Sequence, residues 1–384
     1  MTPSSEPDGG EPGLAEPALG PRWRARSAAE QSAALPAGRL LVSCPAPYGV
    51  GGLGRHLQET IDAAERAGAV SQCICASVPS LVGVAPAFAR VLAPLTRFSP
   101  SWRMWAGSVG FDRRAAAALP DADHLIAFNG TGLEQFRAAR RQGYESIALM
   151  SANSHMRHVL RRHEEAYRRH PIERPWATRL LRRNLAEYAE AERIYVASRY
   201  VHDSFVAEGF DEQRLVHFPL TPAPRYTPSG SPPPADTFEI VYVGSLQVHK
   251  GVPLLIDAFS RLEGAEIRLV LVGGWKTRSM RRFIEAARAR DPRISVVPGD
   301  PLPHLRRARL CVHPSYEDGF GYAPAEALAG GVPVIVTEDT GMKDLIEHPH
   351  DGLVVPSGDP DVLAQAIDAA ARGEILTGRA GRTS

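Results

Sequence analysis

The stretch FEIVYVGSLQVHKGVPLLIDAF, residues 238–259, falls into three pieces. Phe238 to Val243 is a short apolar run with β-branched side chains, the composition of a parallel strand buried on both faces. Gly244 closes the run, and the loop that follows ends at Lys250-Gly251. From Val252 the apolar spacing becomes that of a helix. Strand, loop and helix make half of a βαβ unit. The unit recurs towards the C-terminus, with apolar runs EIRLVLVGG (266–274), ISVVPG (294–299), RLCVHPS (309–315), VPVIVT (332–337) and DGLVVP (351–356). Asp359 and Pro360 mark one helix start, the first as N-cap and the second at the first helical position.

The same alternation runs through the first half. There the runs are RLLVSC (39–44), QCICAS (72–77), HLIAF (124–128), SIALMS (146–151), RIYVAS (193–198) and RLVHF (214–218). The intervening segments are long enough for crossover helices. Residues 219–234 contain seven of the 33 prolines, and neither a helix nor a central strand tolerates that density. This predicts an α/β chain of two doubly wound, Rossmann-like domains, 39–218 and 237–373, joined by a linker over 219–236 and facing a cleft. Ligands bind such sheets at the carboxyl ends of the strands. Residues 1–38, rich in Pro, Gly, Ala, Ser and Glu without a period, read as a disordered tail. Residues 374–384 read as a short C-terminal tail.

The chain has 384 residues, 44% of them hydrophobic and 23% charged, which suits two ordinary globular domains. Lys plus Arg is 44 against 43 Asp plus Glu, so the net charge of +1 argues against a nucleic-acid binder. Cys44, Cys73, Cys75 and Cys311 form no CxxC and have no histidine at zinc spacing. Neither a disulfide framework nor a cysteine metal site is expected, and a reducing, cytoplasmic compartment is. No apolar run approaches the roughly 18 residues needed to span a bilayer, and the first residues lack the regions of a signal peptide.

Gly49-Val50-Gly51-Gly52-Leu53-Gly54 matches GxGxxG and follows a strand. Four residues separate it from that strand, and the next strand offers no acidic residue, which disfavours a nicotinamide cofactor. The reading preferred is a loop opening a helix over 54–66, its amides turned to an anion such as a phosphate, or simply a tight turn. The densest segment is HPSYEDGFGYAPAE, residues 313–326. Gly319 and Gly321 permit tight turns, and a helix is expected near Pro324. Asp318 lies before the turn, and Glu326, eight residues on, is placed in the first turn of that helix. Two carboxylates so spaced can accept from the hydroxyls of one sugar-like ligand. Taken singly, Glu326 would be a dipole-neutralising acid and Lys250 a solvated surface lysine.

Together, VGSLQVHKG (243–251) and PSYEDGFGYAPAEALAGGVPVIVT (314–337) resemble the retaining GT-B glycosyltransferases of glycosyltransferase family 4, strongly over residues 238–372 and more loosely over 39–218. The resemblance implies a hexosyltransferase moving a sugar from a nucleoside diphosphate donor to a glycan or lipid-linked acceptor, with no metal and no cofactor beyond that donor. It implies that Lys250 contacts the diphosphate. Asp318, with the backbone of Gly319, Phe320 and Gly321, holds the transferred sugar, and Glu326 binds the ribose. Gly51 and Gly52 correspond to the family's Gly-Gly loop near the phosphates. His155 corresponds to a cleft histidine beside the reacting sugar, or is a surface histidine on an Arg-rich helix. Two positions depart from the pattern. Ser245 stands where the family has an arginine, for which His249 or a neighbouring arginine would have to substitute. Asp318 stands where it has a glutamate. These departures keep open a catalytically weak GT-B scaffold that binds sugar nucleotide or a partner. Residues 155–193 hold ten arginines and six glutamates. They form either a face that docks peripherally on anionic lipid at the inner membrane surface, or a solvated helical surface with Glu–Arg pairs.

Overall fold

A computed structural model describes residues 21–76, 100–229, 233–234, 236–346 and 349–376. In chain order the first half contains α1 (Pro21–Ala34), β1 (Arg39–Ser43), α2 (Gly51–Arg66), β2 (Val70–Ile74), α3 (Pro100–Ala117), β3 (His124–Phe128), α4 (Leu133–Gln142), β4 (Ser146–Ser151), α5 (Met156–Arg169), α6 (Leu181–Glu190), β5 (Arg193–Val196), α7 (Arg199–Val206) and β6 (Leu215–His217). The second half contains β7 (Phe238–Val243), α8 (Val252–Phe259), β8 (Ile267–Val272), α9 (Arg278–Arg290), β9 (Ile294–Val297), α10 (Leu302–Arg307), β10 (Leu310–His313), α11 (Tyr322–Ala329), β11 (Val334–Thr337), β12 (Gly352–Val355) and α12 (Pro360–Ala371). Each apolar run singled out in the sequence became a strand. The physical reason is that a parallel strand covered by helices on both faces needs apolar side chains on both faces.

The strands form two six-stranded parallel sheets, ordered β2-β1-β3-β4-β5-β6 and β12-β11-β10-β7-β8-β9. In the first, the order reverses between β1 and β3. In the second it reverses between β7 and β10, which pair at Ile240↔Leu310 and Val241↔Cys311. Loops on opposite sides of a reversal splay apart, which opens a crevice at the carboxyl ends of those strands. One hydrophobic core runs through both sheets, from Val42, Phe128 and Met150 to Val241, Cys311 and Val336, with Phe218 and Phe320 between them. The two domains are thus packed together by apolar contact as well as by polar bonds.

Three expectations are corrected. Residues 21–34 of the expected tail form α1, and Ser27, Gln31 and Leu35 are buried. Gln31 Nε2 donates to the Pro219 carbonyl at 2.7 Å and to Glu59 at 3.0 Å, and Ser32 Oγ to the Ala63 carbonyl at 3.2 Å. Polar contacts to α2 and the linker hold this helix, so no apolar period announces it. The remainder of the tail, residues 1–20, and residues 377–384 lie outside the described residues. Second, α2 starts at Gly51, three residues before the helix expected at 54. The Val50 N–H closes a turn on the Pro47 carbonyl at 3.3 Å and brings the chain into the helix early. Third, α11 starts at Tyr322, so Glu326 is its fifth residue and lies beyond the first turn. Asp359 does cap α12, accepting from the N–H groups of Asp361 and Val362. Among the described residues no helix is long and apolar enough to cross a membrane.

Candidate functional site at the interdomain cleft

The crevice of the second sheet is walled by the loops after β7 and β10, and those two loops carry Lys250 and Asp318. Lys250 Nζ lies 2.9 Å from Asp318 Oδ2 and 3.0 Å from the Glu317 carbonyl. His313 Nε2 lies 3.0 Å from the same Oδ2. Burial alone would raise the Asp318 carboxyl, but Lys250 and His313 outweigh it and hold the group well below the usual carboxylate range. Both named bonds fall on Oδ2, which leaves Oδ1 for a hydroxyl donor. Gly251 sets the Lys250 loop against the other wall. Its φ is +72°, and a Cβ there would come 1.8 Å from the Pro314 carbonyl oxygen. Only glycine meets both conditions.

The Gly319-Phe320-Gly321 loop lies under the first domain. Ser198 Oγ donates to the Gly319 carbonyl at 2.7 Å, and the Met342 N–H to the Phe320 carbonyl. A Cβ on Gly319 would come 2.5 Å from the Ala152 carbonyl oxygen across the domain boundary. The N–H groups of Gly319, Phe320 and Gly321 have no hydrogen-bond acceptor among the described residues. Nor does any side chain cap α11, so its N-terminal donors face the same place.

Glu317, beside Asp318, faces the other domain. Its carboxylate accepts from the Ser154 N–H and Oγ, both at 3.0 Å, and from Asn153 Nδ2 at 3.2 Å. It is 1% exposed, and burial raises its carboxyl. Glu326 is also buried, and it is paired with Arg55 of α2. Arg55 Cζ sits 4.2 Å above the Tyr322 ring. Gly51 and Gly52 open α2 on that side, with the Cβ direction of Gly52 3.7 Å from the same ring.

His155 is placed differently from both readings of the sequence. It is the N-cap of α5, its Nδ1 accepts from the Arg157 N–H at 3.3 Å, and its backbone N–H donates to Ser204. The ring packs between Tyr188 and Phe205 at 5.0 and 5.1 Å, and burial pushes its pKa down to about 4. It is neither a surface histidine nor a partner of Lys250, Asp318 or Glu326; the cleft contacts come from its neighbours Asn153 and Ser154. His249 is likewise no substitute for the missing arginine. It is buried against His163, Tyr167 and Trp176, and burial drives its pKa well below the ordinary value, so it is neutral. Ser245 contributes its carbonyl, which accepts from Tyr242 at 2.9 Å.

Within 155–193 the arginines divide. Arg183 is buried with Asp112 and Glu187, Arg162 pairs with Glu165 and Asp339, and Arg157 and Arg161 pair with Glu208. Arg168, Arg169, Arg174, Arg179, Arg182 and Arg193 are exposed. No three His, Cys, Asp or Glu side chains among the described residues group as metal ligands.

The residues that sequence reasoning missed are Arg55, His313, Glu317 and Tyr322. Arg55 alone left a trace. A cation near the start of a helix opposes the helix dipole, so a partner elsewhere has to hold it there.

Residues 237–372 match the family model described as glycosyl transferases group 1. Over 146 residues the chain is 30% identical to the capsular polysaccharide biosynthesis glycosyltransferase CapM of Staphylococcus aureus, covering 37% of this chain and 38% of that protein. Over 136 residues it is 29% identical to an O-antigen chain mannosyltransferase B of Escherichia coli, covering 33% and 35%. The chain thus spans little more than a third of these relatives' lengths. Solved structures are similar over nearly the whole chain. Sucrose-phosphate synthase from Thermosynechococcus elongatus has a TM-score of 0.68 at 19% identity, covering 91% of this chain and 94% of that one. Anabaena HepE in complex with UDP-glucose has a TM-score of 0.60 at 15% identity, covering 88% and 90%. The two-domain GT-B fold expected from the sequence is the fold observed.

Proposed function

We propose that this chain is a glycosyltransferase of polysaccharide or glycan biosynthesis. In this reading it takes a hexose from a nucleoside diphosphate sugar and passes it to a glycan or lipid-linked acceptor with retention of anomeric configuration. The observation that carries the reading is the Lys250–Asp318–His313 cluster, at the point where strand order reverses and beside the unpaired amides of Gly319 to Gly321. A diphosphate gains negative charge as it leaves the sugar. A fixed cation and free backbone N–H groups stabilise that charge more in the transition state than in the ground state. In this reading Lys250 and the start of α11 supply that stabilisation, and Asp318 Oδ1 accepts from a sugar hydroxyl. The acceptor oxygen forms its bond to the anomeric carbon as the bond to the phosphate oxygen breaks. The acceptor proton passes to a donor phosphate oxygen, so no protein base is required. The exposed Arg168, Arg169, Arg174, Arg179, Arg182 and Arg193 are the part of 155–193 that remains for an anionic lipid surface.

The test is a panel of UDP-, GDP- and ADP-sugars, followed by nucleotide release and proton NMR of the first product formed. Release with one donor, a product of unchanged anomeric configuration and activity that survives chelator are expected. An inverted product removes the retaining mechanism, and no turnover with any donor and acceptor favours the binding scaffold.

A further inference from the structure

Arg55 belongs to the first domain by sequence, but its guanidinium is spent on the second. One Nη is paired with Glu326, the other reaches the Thr221 carbonyl at 3.4 Å, and the plane lies over Tyr322. Tyr322 is itself fixed. Its hydroxyl donates to Glu59 at 2.7 Å, and Glu59 also accepts from the Thr221 N–H, the Thr221 hydroxyl and Gln31. From the linker, Tyr226 and Arg225 are near enough to favour the charged form of Glu326, Arg225 being ion-paired with Asp300 and donating to the Tyr226 hydroxyl at 2.8 Å. Cys311 of β10 is near enough to feel the charge of Glu326. Glu326 is thus a 4% exposed carboxylate at which α2, the linker and α11 converge, and Arg55 is the cation in direct contact with it. A carboxylate recognises two adjacent hydroxyls only while ionised, because the protonated form loses acceptor capacity. Burial is the larger influence and leaves the Glu326 carboxyl raised, and the touching guanidinium limits that rise.

We propose that Arg55 is a positioning residue of the donor site, holding Glu326 ionised and turned so that its second oxygen accepts from the vicinal hydroxyls of the donor's ribose. The nucleoside end of the site is then built by both domains. This rests on the preceding reading that the cleft takes a nucleoside diphosphate sugar.

The test compares wild type, Arg55→Gln and Arg55→Lys as full chains. Calorimetry would measure the affinity of each for UDP, GDP and ADP, and for the 2′-deoxy form of whichever binds. Arg55→Gln should weaken the ribonucleotide at least about tenfold and the deoxynucleotide much less, so that the ribo-to-deoxy ratio collapses. Its remaining ribonucleotide affinity should gain more than that of wild type as pH rises and Glu326 ionises, the comparison with wild type cancelling the ionisation of the nucleotide's own terminal phosphate. Arg55→Lys, which keeps the charge, should restore the wild-type profile. If Arg55→Gln does not fold, Tyr322→Leu, which removes the ring under the guanidinium, should lower the same ratio. A folded Arg55→Gln with the wild-type ratio and pH profile overturns the inference and leaves the donor reading standing. A wild type that binds none of the three nucleotides overturns both.

Discussion

Lys250 both contacts the cleft and neutralises Asp318, so its removal has two consequences. Lys250→Ala takes away the cation proposed to face the leaving group and leaves the Asp318 carboxylate with only His313. Because the stabilised charge grows towards the transition state, kcat should fall by about 100-fold or more while donor affinity changes less. Steady-state kinetics with the preferred donor decide this. A raised KM at unchanged kcat would mean that Lys250 only binds. A second residue-scale prediction concerns His163, which is buried among Tyr167, Trp176 and His249 with neither ring nitrogen bonded among the described residues. Burial pushes its pKa down to about 3, so the folded chain keeps it neutral while the unfolded chain protonates it near 6.5. A depressed pKa supports stability above 6.5 and withdraws it as pH falls. Wild type should therefore lose stability relative to His163→Phe by up to about 1.4 kcal/mol per pH unit below 6.5. Urea midpoints of the two proteins between about pH 7.5 and pH 5 check it, and a pH-independent difference would refute it.

Among the elements, the loop between β7 and α8 is the least forgiving. Gly251 combines a left-handed φ with a carbonyl oxygen where a side chain would begin. Gly251→Ala should cost about 2–5 kcal/mol from backbone strain and overlap together, and should also reduce turnover, because Lys250 is the next residue. Gly274, after β8, has open space around its Cβ direction, and Gly274→Ala should stay within about 0.5 kcal/mol of wild type. Chemical denaturation of the pair separates a positional requirement from a general intolerance of alanine. Equal losses in both would show that the close approach to Pro314 does not control the loop.

At the scale of the molecule, the two domains meet through an apolar core and a set of buried carboxylates. Glu317 is tied to Asn153 and Ser154, Glu326 to Arg55, Glu59 to Tyr322, and Asp339 to Arg162. Glu317 is the one among them that joins the loop after β10 to the segment that follows β4 of the first sheet. Glu317→Ala removes three charge-assisted hydrogen bonds and strands their donors, at a cost of roughly 1.5–3 kcal/mol for the first such bond alone. The closed arrangement should loosen. Small-angle scattering of the donor-free chain is expected to show a larger radius of gyration, and kcat to fall with it. A variant with unchanged scattering and lower activity would place Glu317 in the chemistry rather than in closure.

The strands, their parallel order of succession and the loops that carry Lys250 and Asp318 were legible from the chain alone. Apolar runs, glycines and the Asp359-Pro360 start are local signals, written within a few residues of the structure they cause. Two doubly wound domains facing a cleft followed from their repetition, and the GT-B assignment from the resemblance of the loop motifs. What depended on docking was not legible. Arg55 meets a carboxylate 271 positions away. The helix over 21–34 is held by contacts nearly 190 residues distant. His155 and His249 are buried and uncharged, because burial between packed elements, not residue type, decides whether an imidazole carries charge. Sequence pattern determines which segments must be covered; only the tertiary structure decides what covers them, and so which polar groups are left charged, paired or open to a ligand.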